Sequence, residues 1–143
     1  MADAPLAQAK GGPTPVLHHV AIVVADLDAA MARYASLGFA GGERFVLPEQ
    51  AVDVVTYHAG DGWIELISPT DPDGPIARFL AKRGEGLHHV AYAVADLESA
   101  LARLEAAGVR LIDPTPRTGA HGWRIAFVHP ESCGGVLTEL VQE

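Results

Sequence analysis

A chain of 143 residues, 49% hydrophobic and 20% charged, has the apolar mass for one globular fold or two half-domains sharing a core. Its net charge of −8 excludes general binding to nucleic acid or anionic membranes, and no apolar run approaches the ~20 residues that span a bilayer. The lone Cys133 excludes an intrachain disulfide and a cysteine-rich zinc site, which suits a reducing, cytoplasmic setting.

Residues 1–15 are rich in Ala, Gly and Pro, lack the apolar stretch of a secretion signal, and predict a disordered N-terminal tail. Residues 16–25 are apolar and β-rich and predict a buried strand. Asp26 then stands where a helix N-cap belongs. Leu27, Ala30, Met31 and Tyr34 recur at helical spacing until Gly38 stops the helix. Three short strands follow, over 43–47, 52–59 and 63–68. Across residues 75–83, Ile76, Phe79 and Leu80 alternate with Arg78, Lys82 and Arg83, the pattern of a short amphipathic linker helix with a basic face. Residues 87–95 predict a second strand of the first type, capped by Asp96 and followed by a helix over 97–107 with Gly108 as its stop. The last candidate strands are 109–112, 123–129 and 136–141, so the order β-α-β-β-β occurs twice.

The two halves are a repeat. Residues 17–30 and 87–100 are identical at ten of fourteen positions, and each opens on Leu-His-His-Val-Ala. Such repeats fold as similar units packed together. Strand side chains alternate between faces, so with His19 inward, Leu17, Ala21 and Val23 share its face. His89 likewise shares its face with Leu87, Ala91 and Ala93. A small alanine beside each histidine leaves room for a ligand. Alternation sends His18 and His88 to the outer face, under the helices, in a structural role.

Two glutamates repeat as well: Glu65 in Ile64-Glu65-Leu66 and Glu139 in Thr138-Glu139-Leu140. A carboxylate buried in such apolar strands without a partner costs several kcal/mol, roughly. A pseudo-twofold axis can gather His19, His89, Glu65 and Glu139 around one divalent cation. Two imidazoles and two carboxylates suit Co²⁺, Mn²⁺, Ni²⁺, Fe²⁺, Zn²⁺ or Mg²⁺, with positions left for water or substrate. His58, His121 and His129 have no repeat counterpart, and His129, before Pro130, reads as a loop residue.

These features resemble the vicinal oxygen chelate superfamily, and within it the methylmalonyl-CoA epimerase family. The resemblance covers nearly everything after Pro15. Its supporting stretches are Ser68-Pro69, Pro75-Ile76-Ala77-Arg78-Phe79-Leu80, Arg83-Gly84-Glu85-Gly86-Leu87-His88-His89, Gly119-Ala120-His121-Gly122 and, the specific part, His129-Pro130-Glu131-Ser132-Cys133-Gly134-Gly135-Val136-Leu137-Thr138-Glu139-Leu140. It implies an α+β fold of two paired βαβββ modules, a half-open barrel around a metal site. Residues 16–143 would form one domain, with module one at 16–70, the linker helix at 75–83 and module two at 86–143.

By that resemblance His19, His89 and Glu139 are metal ligands, and Glu65 falls where a fourth ligand, often Gln, sits. Co²⁺ heads the candidate metals. In several relatives a catalytic glutamate occupies the position of Val54 here; Asp53 beside it points to the other side of the strand. The implied reaction inverts C2 of methylmalonyl-CoA by proton removal and return through a metal-stabilised enolate. With Val54 in place, Glu139 and Glu65 are the expected acid/base pair. Arg78, Lys82 and Arg83, or Arg117 and Arg124, are candidates for the coenzyme A phosphates. A homodimer acting on a small acyl-CoA is expected by analogy, in the cytoplasmic setting that the single cysteine suits.

Three other functions compete. A lactoylglutathione lyase (glyoxalase) would use the same ligand types on a glutathione hemithioacetal. A two-His-one-carboxylate Fe(II) dioxygenase is disfavoured by the second glutamate. A ligand-sequestering protein would need no metal.

Overall fold

The computed structural model describes residues 14–143, so the expected tail lies outside the described residues as far as Pro13. The chain runs β1 (Val16–Val23), α1 (Leu27–Ser36), β2 (Glu43–Leu47), β3 (Val52–Ala59), β4 (Gly62–Pro69), α2 (Pro75–Arg83), β5 (Gly86–Ala93), α3 (Leu97–Ala106), β6 (Arg117–Thr118), β7 (Arg124–Val128) and β8 (Thr138–Gln142). The strands form one mixed sheet in the order β2-β3-β4-β1-β5-β8-β7-β6. At its centre β1 and β5 pair antiparallel, with Val20 opposite Val90. β1 continues into β4 and β5 into β8, both parallel. The two modules are therefore related by a pseudo-twofold axis near Val20 and Val90.

The sheet curls until its edges approach each other. Gln50 Nε2 donates to the carbonyl of Thr118 at 2.8 Å, and Thr56 Oγ1 lies 2.8 Å from His121 Nε2. The result is an α+β half-barrel with a concave interior, and helices α1 and α3 cover the convex side.

Both helices begin as the aspartates dictate. Ala29 N–H donates to Asp26 at 3.0 Å and Ser99 N–H to Asp96 at 3.1 Å, each satisfying a donor that a helix start leaves free. Leu27 and Ala30 of α1 bury against Val55, Tyr57 and Leu66. Leu97, Ala100 and Leu101 of α3 bury against Ala126, Val128 and Leu140. Burying a leucine as fully as Leu66 or Leu97 contributes about 1.5–3 kcal/mol.

One expected strand fails. Residues 109–112 make only an isolated bridge, Leu111 to Val128. The Asp113 side chain takes the Phe127 N–H at 2.9 Å, and Pro114 and Pro116 offer no N–H of their own, so the ladder cannot extend. The edge is instead completed by the two residues of β6, Arg117 and Thr118, which pair with Ile125 and Arg124.

Candidate metal centre and active site

The doubled histidines are where the simple alternation of a strand breaks. On β1 the pairing with β5 goes from Leu17–Tyr92 to His19–Ala91, leaving His18 without an opposite residue. On β5 it goes from Ala21–His89 to Ile22–Leu87, leaving His88 without one. Each is the extra residue of a β-bulge, which bends the strand and re-aims side chains. The outer-face placement expected for His18 and His88 is overturned. Both rings turn into the concave side, where His18 Nδ1 lies 2.7 Å from His19 Nδ1 and His88 Nδ1 lies 2.8 Å from His89 Nδ1. Leu17 and Leu87, expected inside, are 56% and 60% exposed for the same reason. Gly62 is fitted to the first bulge: a Cβ there would stand 3.0 Å from the His18 carbonyl oxygen.

Beyond the bulges the register builds the site in two rows. Glu65, Ala21 and His89 are neighbours across β4, β1 and β5; His19, Ala91 and Glu139 are neighbours across β1, β5 and β8. Each row sets an alanine with no exposed surface between a glutamate of one module and a histidine. All four polar side chains are buried. His19 Nε2 lies 3.3 Å from His89 Nε2, 3.0 Å from Glu139 Oε1 and 3.5 Å from Glu65 Oε2, and His89 Nε2 is 3.7 Å from Glu139 Oε1. Among the described residues, donor atoms of His19, His89 and Glu139 form a cluster in which all lie within 4.8 Å of one another. Glu65 stands beside that cluster on the His19 side.

The environment drives the two carboxyls apart. Burial pushes Glu65 above the usual carboxylate range, with the negative charge of Glu139 adding to it and His19 opposing. Burial also favours the neutral form of Glu139, but the charge of His89 and hydrogen bonds from both histidines outweigh it and hold the group down to about 2. Burial disfavours protonation of His19 too, yet the Glu139 hydrogen bond and the Glu65 charge raise it above the usual histidine range. The outer histidines move the other way. Burial, then His19, lowers His18; burial, then His89, lowers His88 to about 4.

The four groups face a cavity of about 330 Å³ whose other walls include Val52, Val54, Ile67, Ile76, Trp123 and Phe127. Val54 thus lies at the cavity as the family position would. Asp53 faces away and pairs with Arg44 at 2.8 Å. A second cavity, of about 680 Å³, shares Pro75, His88, His89, Ile112 and Leu137 with the first and is lined by Arg78, Lys82 and Arg83 of α2. Arg117 lines the first cavity, 3.6 Å from Asp113. Arg124 lines neither: it pairs with Glu98 on the convex side, because β7 presents it opposite to Ile125.

Sequence reasoning missed the aromatic support. Trp123 meets the His18 ring edge-on at 4.5 Å, Phe127 meets His89 at 5.0 Å, and Phe79 meets His88 at 4.9 Å. His121 stacks on Trp123 and packs against Trp63 and Phe45, His58 packs on Trp63 with its ring tilted, and His129 Nδ1 accepts the Glu131 N–H. None of the three is among the cluster around Glu139.

This half-barrel with facing histidines and glutamates defines a class. Residues 18–127 match the profile of the glyoxalase/bleomycin resistance protein/dioxygenase superfamily. Methylmalonyl-CoA epimerase of Bos taurus is 42% identical over 128 residues, covering 88% of this chain and 73% of the relative. The ethylmalonyl-CoA/methylmalonyl-CoA epimerase of Cereibacter sphaeroides is 41% identical, covering 88% and 96%. The structure of a methylmalonyl-CoA epimerase in complex with methylmalonyl-CoA and NH4+ superposes with a TM-score of 0.86 at 38% identity, covering 90% and 94%. The chain belongs to this superfamily and, within it, to the methylmalonyl-CoA epimerase family.

Proposed function

We propose that the chain inverts C2 of methylmalonyl-CoA, using a divalent cation held by His19, His89 and Glu139 with Glu65 as a fourth ligand or neighbour. The observation that carries this reading is the convergence of two buried histidines and two buried carboxyls, one from each module, on a single cavity. The donor set fits a cation. Two imidazole Nε2 atoms and a carboxylate oxygen converge, while the Nδ1 atoms behind them are already engaged by His18 and His88. When bound, a divalent cation would supply electrophilic stabilisation for charge developing on the thioester oxygen.

Inversion needs a group that takes the C2 proton and another that returns one to the opposite face. The two histidines hold Glu139 toward its charged form, which suits it to take the proton, and burial pushes Glu65 toward its neutral form, which suits it to give one. Their places on opposite sides of the Ala21 and Ala91 pair match that requirement. The apolar walls at Val52, Val54 and Ile76 limit the water that would otherwise compete for the proton. The second cavity offers Arg78, Lys82 and Arg83 to the coenzyme A phosphates, a local basic surface on an acidic protein. We also propose residues 16–143 as one domain, a homodimer by analogy with the superfamily, and a cytoplasmic setting from the single cysteine. Among the described residues no helix is long and apolar enough to cross a membrane.

The test follows the optical purity of one stereoisomer of methylmalonyl-CoA with metal-free protein and after addition of Co²⁺. Metal-dependent loss of optical purity is expected. Turnover of a glutathione hemithioacetal with no effect on methylmalonyl-CoA would replace this reading with the glyoxalase one.

A further inference from the structure

We propose that the first histidine of each His-His pair fixes the protonation site of the second, and that His88 alone leaves its Nε2–H on the cavity wall to donate to an oxygen of the bound acyl thioester. This rests on the metal reading above. The two Nδ1–Nδ1 contacts, at 2.7 and 2.8 Å, each hold a single proton. A histidine that offers a bare Nε2 to a cation carries its proton on Nδ1. His19 and His89, whose Nε2 atoms face Glu139, therefore donate from Nδ1, and His18 and His88 accept. The protons of His18 and His88 are then confined to Nε2.

There the two modules differ. His18 is buried and its Nε2–H donates to Glu143 Oε2 at 2.9 Å, so that chain ends on a carboxylate. His88 Nε2 has no hydrogen-bond partner among the described residues. No buried side-chain nitrogen or oxygen among them lacks a partner, so this atom is accessible. His88 is half-buried, is braced edge-on by Phe79, and lines both cavities where they join. An acyl group at the metal and a coenzyme A on α2 must pass that junction. A neutral N–H there suits a carbonyl or carboxylate oxygen near the thioester. His18 is thus a positioning residue; His88 is both a positioning residue and a contact to substrate.

Two substitutions separate the two roles of His88. In His88→Asn the amide oxygen can replace Nδ1 as acceptor, but the distal donor is lost. In His88→Gln the distal amide N–H is kept and the near acceptor is lost. For His88→Asn we expect Co²⁺ affinity, read from visible absorption, within about threefold of the parent and KM raised about tenfold, the worth of one hydrogen bond. For His88→Gln we expect Co²⁺ affinity to fall about 10- to 100-fold. In Zn²⁺-loaded parent protein, ¹⁵N NMR should show His18 and His88 protonated at Nε2, and His19 and His89 at Nδ1. His88 protonated at Nδ1, or an unchanged KM in His88→Asn, overturns the proposal while leaving the metal site intact. Failure of the parent to bind Co²⁺ or Zn²⁺ overturns the metal reading and the proposal together.

Discussion

Glu65 and Glu139 occupy equivalent places in the two modules, yet their neighbours treat them differently. Glu139 lies within reach of both histidines, whereas Glu65 has only His19 at 3.5 Å. On the proposed mechanism, that asymmetry would let one carboxyl act as base and the other as acid without any difference in residue type. Replacing Glu139 by Gln should cut turnover about 10²- to 10⁴-fold, the usual worth of a general base. Glu65→Gln should retain metal but lose exchange at C2; exchange at the parent rate would leave Glu65 a ligand at most. Ala91 has no exposed surface and stands between His19 and Glu139, so Ala91→Leu should abolish Co²⁺ binding in a titration read by visible absorption; normal binding would show that the space is not where the cation goes. His88 gives a pH signature in metal-free protein. Its folded-state value, about 4, lies below the unfolded 6.5, so the unfolded chain gains a proton that the folded chain refuses. Stability from this group is full above pH 6.5 and declines as pH falls toward 4. Urea midpoints of His88→Asn should decline less over that window than those of the parent; parallel curves would contradict the assignment.

At the scale of elements, hydrophobic period and caps carried most of the information. The ranges expected for β2, β3 and α2 agree with the structure, and Asp26 and Asp96 cap their helices. Asp96 binds both the amide and the hydroxyl of Ser99, so Asp96→Ala should cost about 1 kcal/mol in urea unfolding, with turnover unchanged. No loss of stability would mean that α3 is held by its apolar face alone. The bulges were illegible because a bulge belongs to a pair of strands. Nothing within Leu17-His18-His19 says that Tyr92 and Ala91 will oppose Leu17 and His19 and skip His18. The failed strand at 109–112 has a similar cause: the N–H of Phe127, which a ladder there would need, is taken by the side chain of Asp113, fourteen residues earlier in the chain. His19, His89, Glu65 and Glu139 were legible because repetition marked them and the pseudo-twofold gathers equivalent positions.

For the whole molecule, the acidic surface and the basic groove on α2 oppose each other. A net charge of −8 repels an acyl-CoA at long range, and Lys82 and Arg83 beside the second cavity attract it locally. Reversing both, as Lys82→Glu with Arg83→Glu, should raise KM about tenfold or more at low salt, with kcat little changed and the difference shrinking as salt rises. An unchanged KM would move the phosphates elsewhere on the surface. The sequence did not rank these cations, because Arg124 is equally basic and is set apart only by the face of β7 it occupies. Proton transfer at C2 by buried carboxyls beside a cation can be followed by incubating one stereoisomer of methylmalonyl-CoA with the protein in D₂O, metal-loaded and chelated, and reading C2 deuterium by mass spectrometry. Deuterium entering at C2 with loss of optical purity in the metal-loaded sample only is the predicted result; no exchange above the spontaneous rate in either sample would contradict it.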